Sequence, residues 1–229
     1  MALLQGARAS RQRMTEGGCL DMPPGRSSDT RERMLEVAER QFAQKGYQGA
    51  HLESIAQEVG VRKTALYYYF DSKVALYTTV LERMLRSFER RMTEVMNRDL
   101  SHAEKAKEVA DHFHDLLAEN PNTSQIMIRI FVDRIPVDES RIAPILKRII
   151  QGGLTFFHDG VKAGAFRKLS SRHVVQSVIG MAVFHYAGAD FSAAVLGVDD
   201  VFATTAVDWR REEFRKMLLH GILADGVTT

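Results

Sequence analysis

The chain has one cysteine, Cys19, so no intrachain disulfide can form. A secreted fold built on disulfides is excluded, and a reducing cytoplasmic setting is expected. No stretch approaches the ~18 consecutive apolar residues of a membrane-spanning helix, so no membrane partner is expected. The leader, residues 1–28, lacks the sustained apolar run of a secretory signal. Strand-like alternation and internal repeats are missing too, which points to an all-α chain. There is no Gly-x-Ser-x-Gly elbow, phosphate loop, His-Glu-x-x-His pair or dinucleotide fingerprint, so neither a catalytic residue nor a cofactor or metal is expected. Excess charge is also lacking. The net charge is +2, and residues 29–73 carry seven Lys and Arg against seven Asp and Glu. Any affinity for nucleic acid must therefore come from local placement of charge.

What is present is an organising stretch from Leu52 to Lys73, LESIAQEVGVRKTALYYYFDSK. Leu52, Ile55, Ala56 and Val59 fall at i, i+3, i+4 and i+7, one apolar stripe of a short helix. Gly60 breaks it, since glycine reaches positive φ without a Cβ clash, and a second helix is expected to begin near Val61 or Arg62. At about 100° per residue, Lys63, Thr64, Tyr67 and Tyr68 share one arc of about 140°, while Ala65, Leu66, Tyr69 and Phe70 lie opposite. One face packs and the other is offered outward. This is the pattern of a helix-turn-helix whose second helix enters the DNA major groove, where lysine and hydroxyl groups meet phosphates and base edges.

The wider stretch from Thr30 to Met84 resembles the N-terminal domain of TetR-type transcriptional regulators. The resemblance rests on Phe42 before Lys45-Gly46-Tyr47, the pair Ile55-Ala56, the turn Gly60-Val61, the run Leu66 to Phe70, and Ser72, Lys73 and Leu76. It implies DNA contact by Arg62, Lys63, Thr64, Tyr67, Tyr68, Tyr69 and Lys73, with Tyr69 turned inward on the wheel and Lys73 on phosphate. One departure is His51, where the family usually has a capping serine or threonine. An imidazole caps poorly, and His51 is expected to donate to phosphate instead.

Three parts are expected: a disordered extension over 1–28, with Met14 or Met22 as alternative starts; a helix-turn-helix domain over 29–75; and a helical effector-binding and dimerisation domain over 76–226. The first helix is expected to open with an Asp29-x-x-Glu32 capping box. Asp71-Ser72 should start a connector helix to about Arg98, and Ser101-x-x-Glu104 should cap the next, to about Asn120. A helix from Thr123 to about Ile135 is expected to stop before Pro136. From Ile142 to Ala163 apolar residues occur nearly all round, which predicts a helix buried from several sides, with Gly152-Gly153 marking either close packing or a kink. One helix is expected from Ser170 or Ser171 to Leu196, and a last one from about Ala206 to Ala224. Asp111, His114 and Asp115 read as a solvated helix face.

The resemblance implies that the second domain binds a small molecule and forms a homodimer through its last helices, with Val178, Met181, Phe214, Met217, Leu218 and Ile222 at the interface. Met127, Phe131, Phe157 and Phe184 offer an apolar ligand lining, with His158 and His185 as polar groups, which points to a hydrophobic or acyl-bearing effector. The expected function is thus a ligand-responsive, homodimeric repressor bound to a double-stranded operator. The alternative is a helical protein with an enzymatic or adaptor role that does not require DNA.

Overall fold

The structure, a computed structural model, describes residues 24–132 and 135–228. The described residues form ten helices. These are α1 (Pro24–Gly49), α2 (Leu52–Val59), α3 (Lys63–Tyr69), α4 (Lys73–Met96), α5 (His102–Glu119), α6 (Pro121–Val132), α7 (Glu139–Lys162), α8 (Ser171–Ala187), α9 (Ala189–Leu196) and α10 (Thr204–Ile222). The only strand-like pairing among them is a single antiparallel bridge between Phe166 and Leu223.

Two apolar cores organise the helices. The first gathers Met34, Ala38 and Phe42 of α1, Ile55 and Ala56 of α2, Leu66 of α3 and Leu76, Tyr77 and Val80 of α4. Its aromatic centre is Phe42 edge-on to Tyr77 at 4.8 Å, with Tyr47 5.3 Å from Tyr77. Ile126 of α6 and Ile142 of α7 also enter this core, so it extends into the second half of the chain. The other core packs Ala110, Phe113 and Leu117 of α5 against Phe157 and Phe166, Val183 and Tyr186 of α8, and Phe214 and Leu218 of α10.

Several boundaries differ from the sequence reading, each for a local reason. Helix α1 starts at Pro24, inside the segment expected to be disordered, because proline's fixed φ and missing N–H suit a first helical position. Asp29 is therefore inside the helix and does not cap it; Cys19, Met14 and Met22 lie outside the described residues. Likewise α6 opens at Pro121 directly after α5, and its expected end at Ile135 falls past Asp133 and Arg134, which lie outside the described residues.

Helix α7 begins at Glu139 because the Asp138 side chain accepts from Ser140 N–H at 3.0 Å. It runs through Gly152 and Gly153 without a break, and it is not buried all round: Leu146 and Ile150 are exposed. Its apolar residues outnumber the positions facing the core. The helix expected from Ser171 to Leu196 is two, bent by 90° at Gly188, whose φ of −100° and ψ of 46° are not helical. Ser192 Oγ fixes the bend by donating to the His185 carbonyl at 2.9 Å. No single described helix is long and apolar enough to cross a membrane; α8 and α9 reach that length and composition only as a bent pair.

At the end of α7, a Cβ on Gly160 would overlap the Phe166 ring, which also stacks on Phe157 at 5.3 Å. Gly160→Ala is therefore expected to cost about 1–3 kcal/mol through overpacking, lowering the Tm by several degrees in a circular-dichroism melt. An unchanged Tm would show that the Phe166 ring moves aside freely.

Candidate nucleic-acid interface

The turn between α2 and α3 is built by backbone geometry. Gly60 sits at φ 83°, ψ 28°, and closes α2 with two bonds, its own N–H to Gln57 O at 3.0 Å and Val61 N–H to Ala56 O at 2.9 Å. That pair of bonds is a Schellman cap, and Val61 packs into the first core beside it. Arg62, extended at φ −77° and ψ 150°, then opens α3.

Helix α3 is held by Leu66, fully buried, with Ala65 and Tyr69 packed partly against the same core. Phe70 closes the face from below and carries the Arg31 guanidinium 5.4 Å from its ring centre. The other face is bare: Arg62, Lys63 and Thr64 are exposed, Tyr67 is 46% exposed and Tyr68 83%. Tyr69 stands edge-on to Tyr68 at 5.2 Å and limits how that ring can swing. Lys63 Nζ lies 3.4 Å from Glu53 Oε1, and both side chains are largely in water, so this pair is weak and Lys63 can exchange it for a phosphate at little cost.

Lys73 has a more committed position. Its Nζ donates to Gln48 O at 3.2 Å and sits 4.7 Å from the Tyr47 ring centre, and partial burial holds its pKa below the ordinary lysine value. It pins the end of α1 to the start of α4, where Ser72 Oγ caps by accepting from Ala75 N–H at 3.0 Å. His51 occupies the N-cap position of α2 with extended φ/ψ, and its exposed side chain makes no capping bond.

The sequence reading missed the residues that tie this region to the remaining helices. Glu39 is buried on α1 and accepts from Arg83 of α4 at 2.5 Å and from Asn120 Nδ2, at the α5–α6 corner, at 2.6 Å. Arg129 of α6 donates from Nε to Ala43 O at 3.1 Å and from Nη2 to Gln44 O at 3.4 Å, near the end of α1. An acid inside the apolar stripe Val37-Ala38-Glu39 was the one available signal. Arg129 looks like an ordinary last-turn base.

The residues predicted to line an effector site gather only in part: Met127, Phe157 and His185 lie in or beside the second core. His158 and Phe184 are exposed, Met127 is half-buried, Phe157 is buried against Phe166, and the side chain of Phe131 lies outside the described residues. A cleft of about 500 Å³ lies between α1, α6 and α8, lined by Gln44, Gln125, Ile128, Arg129, Val132 and Ala187, none of them predicted. His185 is 6% exposed, next to Tyr186, whose hydroxyl meets His114 Nε2 at 2.7 Å. Asp111 and Asp115, expected to be solvated, instead join α5 to α10 through Arg215 at 2.9 Å and Arg211 at 2.7 Å. Of the predicted interface residues, Phe214, Leu218 and Ile222 belong to the second core, Val178 and Met181 are half-buried, and Met217 is 58% exposed.

Comparison with known proteins gives this geometry its context. Residues 34–80 match the family described as bacterial regulatory proteins, tetR family. The chain is 27% identical over 201 residues to the HTH-type transcriptional regulator RutR of Escherichia coli K12, covering 85% of this chain and 91% of RutR. It is 40% identical over 47 residues to the negative transcriptional regulator IcaR of Staphylococcus aureus, covering 20% of this chain and 25% of IcaR. Its fold is shared with AibR, solved with isovaleryl coenzyme A and operator DNA, at a TM-score of 0.67 and 18% identity over 83% of this chain and 98% of that one.

Two outcomes are expected at this surface. Lys63→Ala combined with Tyr67→Ala should abolish preference for specific DNA in a binding titration at fixed salt while leaving the Tm within about 1 °C, because both side chains are exposed. Retained specificity would move the reading face elsewhere. His51→Ser should add the missing cap and raise stability by about 0.5–1 kcal/mol, read as an upward Tm shift.

The outward face of α3 set on a Schellman turn, the match of residues 34–80 and the likeness to RutR over 85% of the chain lead to one conclusion: residues 34–80 form a tetR-family domain, and the chain is a DNA-binding transcriptional regulator.

Proposed function

We propose that this regulator is a homodimeric repressor that reads two half-sites of an operator through α3 and is released when a small hydrophobic or acyl-bearing effector binds its second core. The observation that carries the reading is the split of α3 into a buried edge at Leu66 and a bare edge at Lys63, Thr64, Tyr67 and Tyr68. Arg62 and His51 flank that bare edge as phosphate donors, Tyr69 orients Tyr68, and Lys73 adds positive charge beside the groove. Occlusion of a promoter needs nothing beyond such a reader, and IcaR, similar over the same region, is a negative regulator.

Dimerisation is supported by apolar side chains that the chain leaves in water. Phe184 on α8, Phe191 and Val195 on α9, and Trp209 and Met217 on α10 are all between 49% and 66% exposed. Trp209 and Met217 are eight residues apart, hence on one face of α10. A second copy applied to this face would cover them in a closed, two-fold contact and set two α3 helices one DNA turn, about 34–36 Å, or a multiple of it apart.

Effector control then requires only that the ligand bind one head spacing better than the other. The links available for transmission are Arg129 and Asn120, which join α6 and its preceding corner to α1. AibR is a protein of this fold whose solved complex holds an acyl-coenzyme A together with operator DNA, and that likeness supports an acyl-bearing effector here.

The test is titration of the purified protein onto DNA from its own upstream region against scrambled DNA at matched salt, with sedimentation to give the mass. The wild type should sediment at twice the chain mass and prefer its own DNA. Met217→Glu with Trp209→Glu should yield folded monomers whose operator affinity falls by about 100-fold or more, since a desolvated carboxylate opposes the contact. A monomeric wild type with full operator affinity would overturn the dimer.

A further inference from the structure

At the second core one buried nitrogen lacks a hydrogen-bond partner and one guanidinium beside it lacks an anion. His185 is 6% exposed, and among the described residues no partner reaches its Nε2. Arg210 of α10, half-buried, donates from Nη2 to Met181 O at 3.2 Å and lies 5.9 Å from the Phe214 ring centre. Among the described residues no carboxylate lies within ion-pair distance of it. The neighbouring acid is already used: Asp115 takes Arg211 at 2.7 Å. A guanidinium drawn partly out of water with no anion, beside a buried imidazole with no partner, is an expensive arrangement for a fold to keep.

We propose that His185 and Arg210 form the anion-binding end of the effector site and take the carboxylate of a small monocarboxylic acid, whose apolar chain lies among the surrounding aromatic rings. This rests on reading the second core as the ligand-binding part. Arg210 supplies the charge and a second N–H. His185 supplies an Nε2–H that now has nowhere to go. Tyr186, whose ring stacks on Phe202 at 5.4 Å, and Phe214 provide the apolar walls. A lone amide or alcohol would leave the Arg210 charge uncompensated, so the site prefers the acid to its neutral analogues.

The arrangement also sets a proton signature. Burial and then the positive charge of Arg210 push His185 down to about 4, so it is neutral in the free protein near pH 7. Among the described residues, the other titratable group acting on His185 is His114 of α5, itself lowered by burial, with Asp115 next to it. A carboxylate brought against His185 favours imidazolium and raises that value. Binding therefore takes up a proton, and uptake grows as the pH falls towards 6.

The experiment is calorimetric titration of the full chain with butyrate, hexanoate and octanoate and with their primary amides, at pH 6, 7 and 8, in buffers of different ionisation enthalpy. The expected result is that an acid binds about tenfold or more tightly than its amide, with net proton uptake. Arg210→Gln, at a half-buried position, should erase the preference, so that an acid and its amide bind alike. His185→Asn, checked for folding by its melt, should abolish the proton uptake. Amides binding as well as acids, undiminished acid binding by Arg210→Gln, or no binding of any of the three acids at millimolar concentration would each overturn the anion site. Operator release is scored in parallel with a total small-molecule extract. Release without any preference for acids removes this inference alone, whereas no release removes the ligand-responsive reading itself.

Discussion

A helix of seven residues has no stability of its own in water, because nucleating its first turn costs more than so few hydrogen bonds return. Helix α3 exists because Leu66 is inserted into the core made by α1, α2 and α4, and everything it can do follows from that insertion. Leu66 fixes the rotation of the helix about its axis, which determines that Tyr67 and Tyr68 face out and Tyr69 leans in. The Gly60 cap fixes the angle at which α3 leaves α2, and the Lys73–Gln48 bond fixes where α4 begins. Hydrogen bonds therefore set the direction of the reading surface and apolar burial holds it there.

The same core explains how a distant event can reach that surface. Ile126 of α6 and Ile142 of α7 pack into it, so it is continuous with the helices that follow. Around this apolar joint stand polar links that have direction: Glu39 to Arg83 and Asn120, and Arg129 to the carbonyls of Ala43 and Gln44. Apolar packing tolerates small slides, while these bonds switch between made and broken. Under the proposed effector control, a shift of α6 by a fraction of a helical turn would change which carbonyl Arg129 reaches, and α1 would carry the consequence to α3 through their shared core. Coupling of this kind is reciprocal, so DNA that prefers one arrangement of α1 must also alter affinity for whatever α6 contacts.

The first third of the chain was far more legible than the rest. In residues 30–84 each local signal agrees with the tertiary answer: the stripe Leu52, Ile55, Ala56, Val59 is buried or half-buried, the glycine sits where positive φ is needed, and the wheel of α3 divides as its burial does. Beyond that, apolar content stopped reporting burial. Leu146 and Ile150 on α7, and Phe184, Phe191, Val195, Trp209 and Met217 near the C-terminus, look like core residues in sequence and stand in water in the monomer. Periodicity does not separate apolar residues that the chain covers from those it leaves exposed, so the predicted interface mixed Met217 with Phe214, Leu218 and Ile222 of the second core. Long-range polar pairs such as Asp111–Arg215 leave no local trace at all. The bend at Gly188 was hidden for another reason, since glycine permits a break without requiring one.

The second core differs from the first in what it buries. Around the first, buried Glu39 is paired with Arg83 and Asn120; the second includes the His114–Tyr186 hydrogen bond and the neutral His185, whose Nε2 has no partner among the described residues, and the half-buried Arg210 lies against it. A protein selected only for stability would replace His185 and Arg210 with leucine or methionine, because His185 Nε2 loses hydration without a partner and Arg210 loses hydration without an anion. Their cost is lower in any state where an anion lies between them, so that state is favoured by the full difference. A ligand satisfying both groups thus does more than fill space: it removes a penalty specific to the unliganded arrangement of α8 and α10. Since α8 packs on α6, and α6 holds the end of α1 through Arg129, relief of that penalty can be communicated to the reading helix.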